Sequence, residues 1–188
     1  MTGMSQFKAE VADFALAASD YIAQHNLPSE WFVEPDHIAI KCRDGEHFIE
    51  TMEEFRPVSR AITYVRKGER RLGTAMLMSG LSIGRLGKVE IVEIMEPRPE
   101  KLGKGIVGVE HMEFFYPDFA VAQAFLQTLA TEHGQEVAHE LDLSSAVHQT
   151  LVLPFDDGYE IKLNNRTLAD IIPEELANGE AIVYAGSL

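Results

Sequence analysis

The chain has 188 residues, 46% hydrophobic and 9% aromatic, which suits a single globular domain and excludes a disordered chain. Acidic residues outnumber basic ones by 30 to 16, a formal net charge of −14, so duplex nucleic acid and anionic membranes meet repulsion before any contact. The single cysteine, Cys42, excludes an internal disulfide framework and suits a reducing compartment.

Residues 1–10 lack the basic-then-apolar run of a secretory signal, and no apolar stretch approaches the roughly 18–20 residues that span a bilayer. The expectation is a cytoplasmic protein with a small-molecule partner and with neither nucleic acid nor membrane as a partner.

In chain order, residues 1–30 read as a helical lead-in. Val11, Phe14, Ala15, Ala18, Tyr21 and Ile22 recur at spacings of three and four, and Asn26 and Pro28 close the pattern. Residues 36–42 then alternate, with Ile38, Ile40 and Cys42 on one face and His37, Ala39 and Lys41 on the other. Phe48, Ile49, Met52 and Phe55 follow at helical spacing and stop before Pro57. Residues 61–66 and 72–78 read as a hairpin turning at Gly68, and 88–95 as a further strand. The first half is β-α-β-β-β.

The second half repeats that order. Residues 109–116 alternate, with Met112, Phe114 and Tyr116 opposite His111 and Glu113. Pro117 and Asp118 open a helix carrying Phe119, Ala122, Leu126 and Leu129, which ends near His133 and Gly134. Strands are expected near 136–143, 148–154 and 159–163, the last two joined at Asp157-Gly158. Thr167 and Asp170 resemble a capping box for a short final helix. Asp36-His37-Ile38 and Glu110-His111-Met112 match as acid, histidine and apolar residue, and Val92-Glu93-Ile94 matches Tyr159-Glu160-Ile161. The chain therefore reads as a duplication packed side by side. It is one domain over 1–188, with a lead-in at 1–30, modules at 31–97 and 108–165, and a C-terminal helix and tail at 166–188.

Parity turns His37 and His111 away from the apolar faces of their strands and puts Glu160 and Lys162 together opposite Tyr159, Ile161 and Leu163. If each half curves into a cup, His37, Glu93, His111 and Glu160 can meet inside it. Two imidazoles and two carboxylates suit a divalent transition metal such as zinc, nickel, manganese or iron. Such an ion polarises a carbonyl or activates water. Glu113 and Lys162, on the same faces, could handle a proton or hold a substrate carboxylate. They equally fit a charge pair that orients a ligand. The same residues also fit a polar pocket without metal, or strand faces turned to water.

These residues carry a resemblance. Asp36-His37-Ile38, Ile91-Val92-Glu93, Glu110-His111-Met112-Glu113 and Ile161-Lys162, followed by the segment 168–175, resemble the YecM-like family. Its βαβββ modules belong to the vicinal oxygen chelate superfamily of glyoxalases, extradiol dioxygenases and bleomycin-resistance proteins. The resemblance spans residues 30–175. It implies an α+β fold in which two βαβββ modules form a mixed, cup-shaped sheet with helices outside. It also implies metal ligands on the first and last strands of each module, here His37, Glu93, His111 and Glu160.

The first expectation is then a metal-dependent isomerase or lyase acting on a small molecule with vicinal oxygens, since four protein ligands leave too few positions for substrate and O₂ together. The alternatives are a binding protein that holds a small molecule in the same cup without turning it over, and an interaction protein with an open polar face. Gly68 and Gly73-Thr74 lack the lysine of a phosphate loop. The cluster Arg66, Lys67, Arg70 and Arg71 reads as a solvated hairpin edge able to draw an anion, and Cys42 as buried core.

Overall fold

The computed structural model describes residues 3–67, 70–132, 140–142, 149–156, 158–179 and 181–183. The expected turn at Gly68, the helix end at His133 and Gly134, most of the 136–143 strand, His139, His148 and Asp157 lie outside them.

Helix α1 (Met4–Gln24) forms on the anticipated stripe, with Phe7, Val11, Phe14, Ala15 and Ala18 buried. Asn26, at φ 51°, turns the chain out of it. The first half continues as β1 (Pro35–Lys41), α2 (Gly45–Phe55), β2 (Ser59–Lys67), β3 (Arg70–Ser82) and β4 (Lys88–Met95). The second follows as β5 (Gly108–Phe115), α3 (Phe119–Glu132), β6 (Glu140–Asp142), β7 (Thr150–Phe155) and β8 (Tyr159–Asn164). The order βαβββ thus occurs twice. Helix α2 begins before its apolar stripe because Asp44 caps it, accepting from the His47 amide at 2.8 Å.

The fold is α+β on one mixed sheet of nine strands, ordered β6-β7-β8-β5-β1-β4-β3-β2-β9. Each module places its first strand beside its last, in parallel: β1 with β4, and β5 with β8. The two first strands meet antiparallel at the centre. That junction brings the two histidine strands side by side.

The outer face of the sheet carries the core. Ile38, Ile40, Met112, Phe114, Ile161 and Leu163 are fully buried there, in one cluster with residues of α1, α2 and α3. Burying each such side chain contributes about 1.5–3 kcal/mol. Helix α1 bridges the modules: Phe7 meets Phe55 of α2 edge-on at 5.1 Å between ring centroids, and Phe14 meets Phe155 and Tyr159 at 5.4 and 5.0 Å.

The inner face is open enough to be used. Across it lies α4 (Leu168–Ala177), started by the Thr167–Asp170 capping box. The Leu168 amide donates to Asp36 at 2.9 Å, and Leu176 packs on a small apolar patch of Ala39, Val65, Leu72 and Met95. Beyond α4 the chain adds β9 (Ala181–Val183) as an antiparallel edge strand on β2, an element with no periodic signal of its own in three residues. No helix among the described residues is long and apolar enough to cross a membrane.

Candidate metal centre

Two register shifts on the central strand pair decide where the site's side chains point. Between Pro35↔Phe114 and His37↔Glu113, β1 advances by one residue more than β5, so Asp36 is the extra residue of a bulge. Between Ala39↔His111 and Ile40↔Val109 the excess falls on β5, and the extra residue is Glu110. Strict alternation would send both acids to the outer face. The bulges let each approach the histidine that follows it. Asp36 Oδ2 lies 2.8 Å from His37 Nδ1, and Glu110 Oε2 lies 3.4 Å from His111 Nδ1.

With both Nδ1 atoms engaged from behind, both Nε2 atoms turn inward to one carboxylate. His37 Nε2 is 3.6 Å from Glu113 Oε2, and His111 Nε2 is 3.1 Å from Glu113 Oε1. The rings stand edge to face, 6.1 Å between centroids. His37 and His111 are buried, and Glu113 is nearly so. Glu113 is itself held: the Asn164 side-chain amide donates to its Oε2, while the Asn164 oxygen accepts from the Thr150 hydroxyl at 2.6 Å.

The charges respond to this crowding. Burial works to lower the His37 pKa, but the charge of Glu113, the hydrogen bond to Asp36 and the charges of Glu93 and Asp36 together raise it to about 9. Burial pushes Glu113 upward, yet His37, His111 and Lys162 hold it well below the usual carboxylate range. Glu110 likewise falls to about 2, its burial outweighed by His111 and Lys41.

All six residues singled out from the sequence lie on the inner face. Ligand atoms of His37, His111 and Glu113 come within 4.8 Å of one another, and they form the group that could hold an ion among the described residues. Glu93, whose Cα neighbours Ala39, lines a cavity of about 100 Å³ with Asp36, His37 and Glu113, closed by Leu168 and Ile171. It stands beside the group without entering it. Glu160 pairs across β5–β8 with His111, but its carboxylate lies 3.3 Å from Lys162 Nζ. Lys162 Nζ also sits 3.2 and 3.3 Å from the two ring nitrogens of His111 and 3.7 Å from Glu113.

A transition metal about 2.0–2.2 Å from each nitrogen and oxygen donor requires those donors to be about 2.9–3.5 Å apart. The 3.1 Å from His111 Nε2 to Glu113 Oε1 falls within that spacing, and the 3.6 Å from His37 Nε2 to Oε2 lies just beyond it. Two imidazoles and a carboxylate are a donor set for zinc, nickel, manganese or iron, and carboxylates behind both imidazoles fix their orientation and raise their basicity. The residues present fit a divalent ion.

Asp36, Glu110, Asn164 and Thr150 are positioning residues that alternation does not reveal. The repeated acid before each histidine is the signal that was available. The basic hairpin is not one edge: Arg71 grips Glu96 at 2.8 Å and stacks on Phe48 toward the outer face, while Arg70 turns inward. Cys42 is buried, its thiol pushed up to about 11 by burial, as befits core.

No protein-family profile matches the chain, and no curated protein matches it. Among solved structures it is similar to a structural-genomics protein, EC4020, at 18% identity over 92% of both chains with a TM-score of 0.73. It is similar at 14% identity to 2,2',3-trihydroxybiphenyl 1,2-dioxygenase from Sphingomonas wittichii, over 70% of this chain but 39% of that one, with a TM-score of 0.39. A glyoxalase/bleomycin resistance protein/dioxygenase superfamily member from Vibrio splendidus matches at 13% identity over 68% of this chain and 94% of that one, with a TM-score of 0.33. The likeness to EC4020 is one of fold, and the fainter two carry no inference about activity.

Proposed function

We propose that this chain is a metal protein of the vicinal oxygen chelate type, from its YecM-like branch, holding a divalent transition metal at His37, His111 and Glu113. The observation that carries this reading is the convergence of both Nε2 atoms on one carboxylate, with an acid behind each ring. Support comes from the two βαβββ modules meeting at their histidine strands and from the donor spacing. Glu93, which lines the cavity beside His37 and Glu113, would be a further ligand on this reading. Bound there, the ion supplies Lewis-acid chemistry to a small molecule carrying vicinal oxygens. The chain's own groups orient that molecule and move protons: Lys162 lies against His111 and Glu113, where it can hold or release one. The reaction class is isomerase or lyase.

One observation favours a second reading. The Lys162 ammonium already lies among His111, Glu113 and Glu160, so the carboxylates are partly compensated without an ion. In that case the cup binds a small molecule and does no chemistry. Elemental analysis of protein purified without chelator, followed by rebinding of zinc, nickel, manganese and iron, separates the two. A stoichiometric metal lost in His37→Ala and His111→Ala supports the metal reading. Failure to retain or rebind any metal by correctly folded protein rejects it in favour of the second.

A further inference from the structure

Beside the histidine pair a second cavity, about 230 Å³, opens on the same face, and His111 forms part of its wall. Lys41, Arg70, Arg98 and Lys162 line it together with Glu110 and Glu160. In a chain with nearly twice as many acids as bases, a pocket where cations outnumber carboxylates departs from the average.

The lysines are already spoken for. Lys41 pairs with Glu110 at 3.1 Å and Lys162 with Glu160 at 3.3 Å. The arginines are not. Arg70 uses its Nε to donate to the Glu96 carbonyl at 2.8 Å, and its terminal nitrogens have no protein acceptor among the described residues. Arg98, exposed at the pocket's edge, has no hydrogen bond or ion pair among them. The pocket therefore retains two guanidinium groups that form no ion pair among the described residues and that repel one another. Burial makes the Arg70 guanidinium harder to keep charged and Arg98 adds to this, against the charges of Glu93, Glu110 and Glu100. Two open guanidinium forks facing a common space are the usual arrangement for bidentate capture of a carboxylate or phosphate.

We propose that Arg70 and Arg98 form an anion subsite, and that the small molecule taken by this cup carries a carboxylate or phosphate seated on them. The inference rests on the metal reading for the placement of the rest of the molecule, whose oxygens would reach past His111 to the centre. The anion subsite itself needs no metal.

The test titrates chelator-treated protein with inorganic phosphate and, separately, malonate at low ionic strength, read by calorimetry. Wild-type protein is expected to bind at least one of them, and the tighter of the two identifies the group. Arg98→Ala, at an exposed position, weakens binding at least fivefold. Arg70→Gln does the same if it folds, as circular dichroism will report. Lys88→Ala, an exposed cation outside the pocket, leaves binding unchanged. Nickel affinity is measured in parallel: the arginine variants leave it within twofold, whereas His37→Ala lowers it without abolishing anion binding. If nickel never binds but anion binding still depends on Arg98, the subsite stands and the metal reading falls. Absence of anion binding, or an equal loss in Arg98→Ala and Lys88→Ala, overturns the subsite.

Discussion

Ala39 and Glu113 occupy equivalent positions in the two modules, each two residues past its module's histidine and each facing the inner side of the sheet. The duplication is matched at the bulged acid and the histidine and broken here. Ala39 lies between the cross-strand neighbours Glu93 and His111, and its single methyl leaves that space to them. A second glutamate at this place would face Glu93 across β1–β4 and set like charges side by side. The centre is therefore built from two imidazoles and one shared carboxylate.

Replacing Glu113 with glutamine keeps the shape and removes the charge that both imidazoles face. Its charge is the largest of the influences raising the His37 pKa, with only burial, which lowers it, acting more strongly. In Glu113→Gln the His37 pKa is expected to fall from about 9 toward or below its ordinary 6.5. The expected loss of stability is about 1–3 kcal/mol. NMR titration of the His37 ring and urea denaturation check both. An unmoved His37 titration would separate the two residues electrostatically.

The strands and their faces were readable from alternation, because one side of each had to meet helices. Ile38, Ile40, Met112 and Phe114 carry that signal without ambiguity. Alternation fixes a face but not a distance. It turned Glu113 and Glu160 away from the apolar faces, left the Glu93 strand undecided because Val89, Ile91 and Met95 share its parity, and could not say that Glu113, on a central strand, would reach both histidines. Carried through strictly, it would turn Asp36 and Glu110 to the outer face, since a bulge is a property of two paired strands and neither strand's sequence alone shows it. The capping box of α4 was legible at Thr167 and Asp170, whereas its position over His37 depends on the long-range bond from the Leu168 amide to Asp36. Arg70 and Arg71 read as one basic cluster until the β2–β3 register sends them to opposite faces.

The metal-free protein has a defined pH dependence. His37 has a folded pKa of about 9, above its ordinary 6.5, so its stabilising contribution is complete below pH 6.5 and is lost as pH rises through 9. At about 1.4 kcal/mol per pKa unit this amounts to at most about 3.5 kcal/mol. Chemical denaturation of chelated protein at pH 6.5 and 9.5 measures the difference, and His37→Gln is expected to flatten it. Glu110 acts in the other direction, its contribution present above its ordinary 4.5 and lost as pH falls toward 2. Saturating metal, which requires His37 Nε2 deprotonated, is expected to reverse the alkaline slope.

Lys162→Met discriminates between a metal competitor and a ligand-holding lysine. Its ammonium lies 3.3 Å from His111 Nε2 and 3.7 Å from Glu113, next to the space an ion would fill. Removing a positive charge this close favours a second cation, and an affinity gain of tenfold or more corresponds to about 1.4 kcal/mol. Calorimetric titration with nickel reads it. A loss of affinity would mean that Lys162 supports the imidazole instead of opposing the ion.

Asp36→Asn tests the bulge as a positioning device. The carboxylate accepts from His37 Nδ1 and from the Leu168 amide, so it orients the ring and ties α4 to the inner face at once. Asparagine retains an acceptor for the amide but no longer carries the charge that favours Nδ1–H and a basic Nε2. Losing the carboxylate that orients a ligating imidazole costs about 10–100-fold in metal affinity. The position of α4 is expected to hold, because the Thr167 capping box and the Leu176 contact are untouched. Nickel titration together with hydrogen exchange over residues 168–177 distinguishes the outcomes. Reduced affinity with unchanged exchange assigns Asp36 to the imidazole, whereas faster exchange throughout α4 with unchanged affinity assigns it to the helix alone.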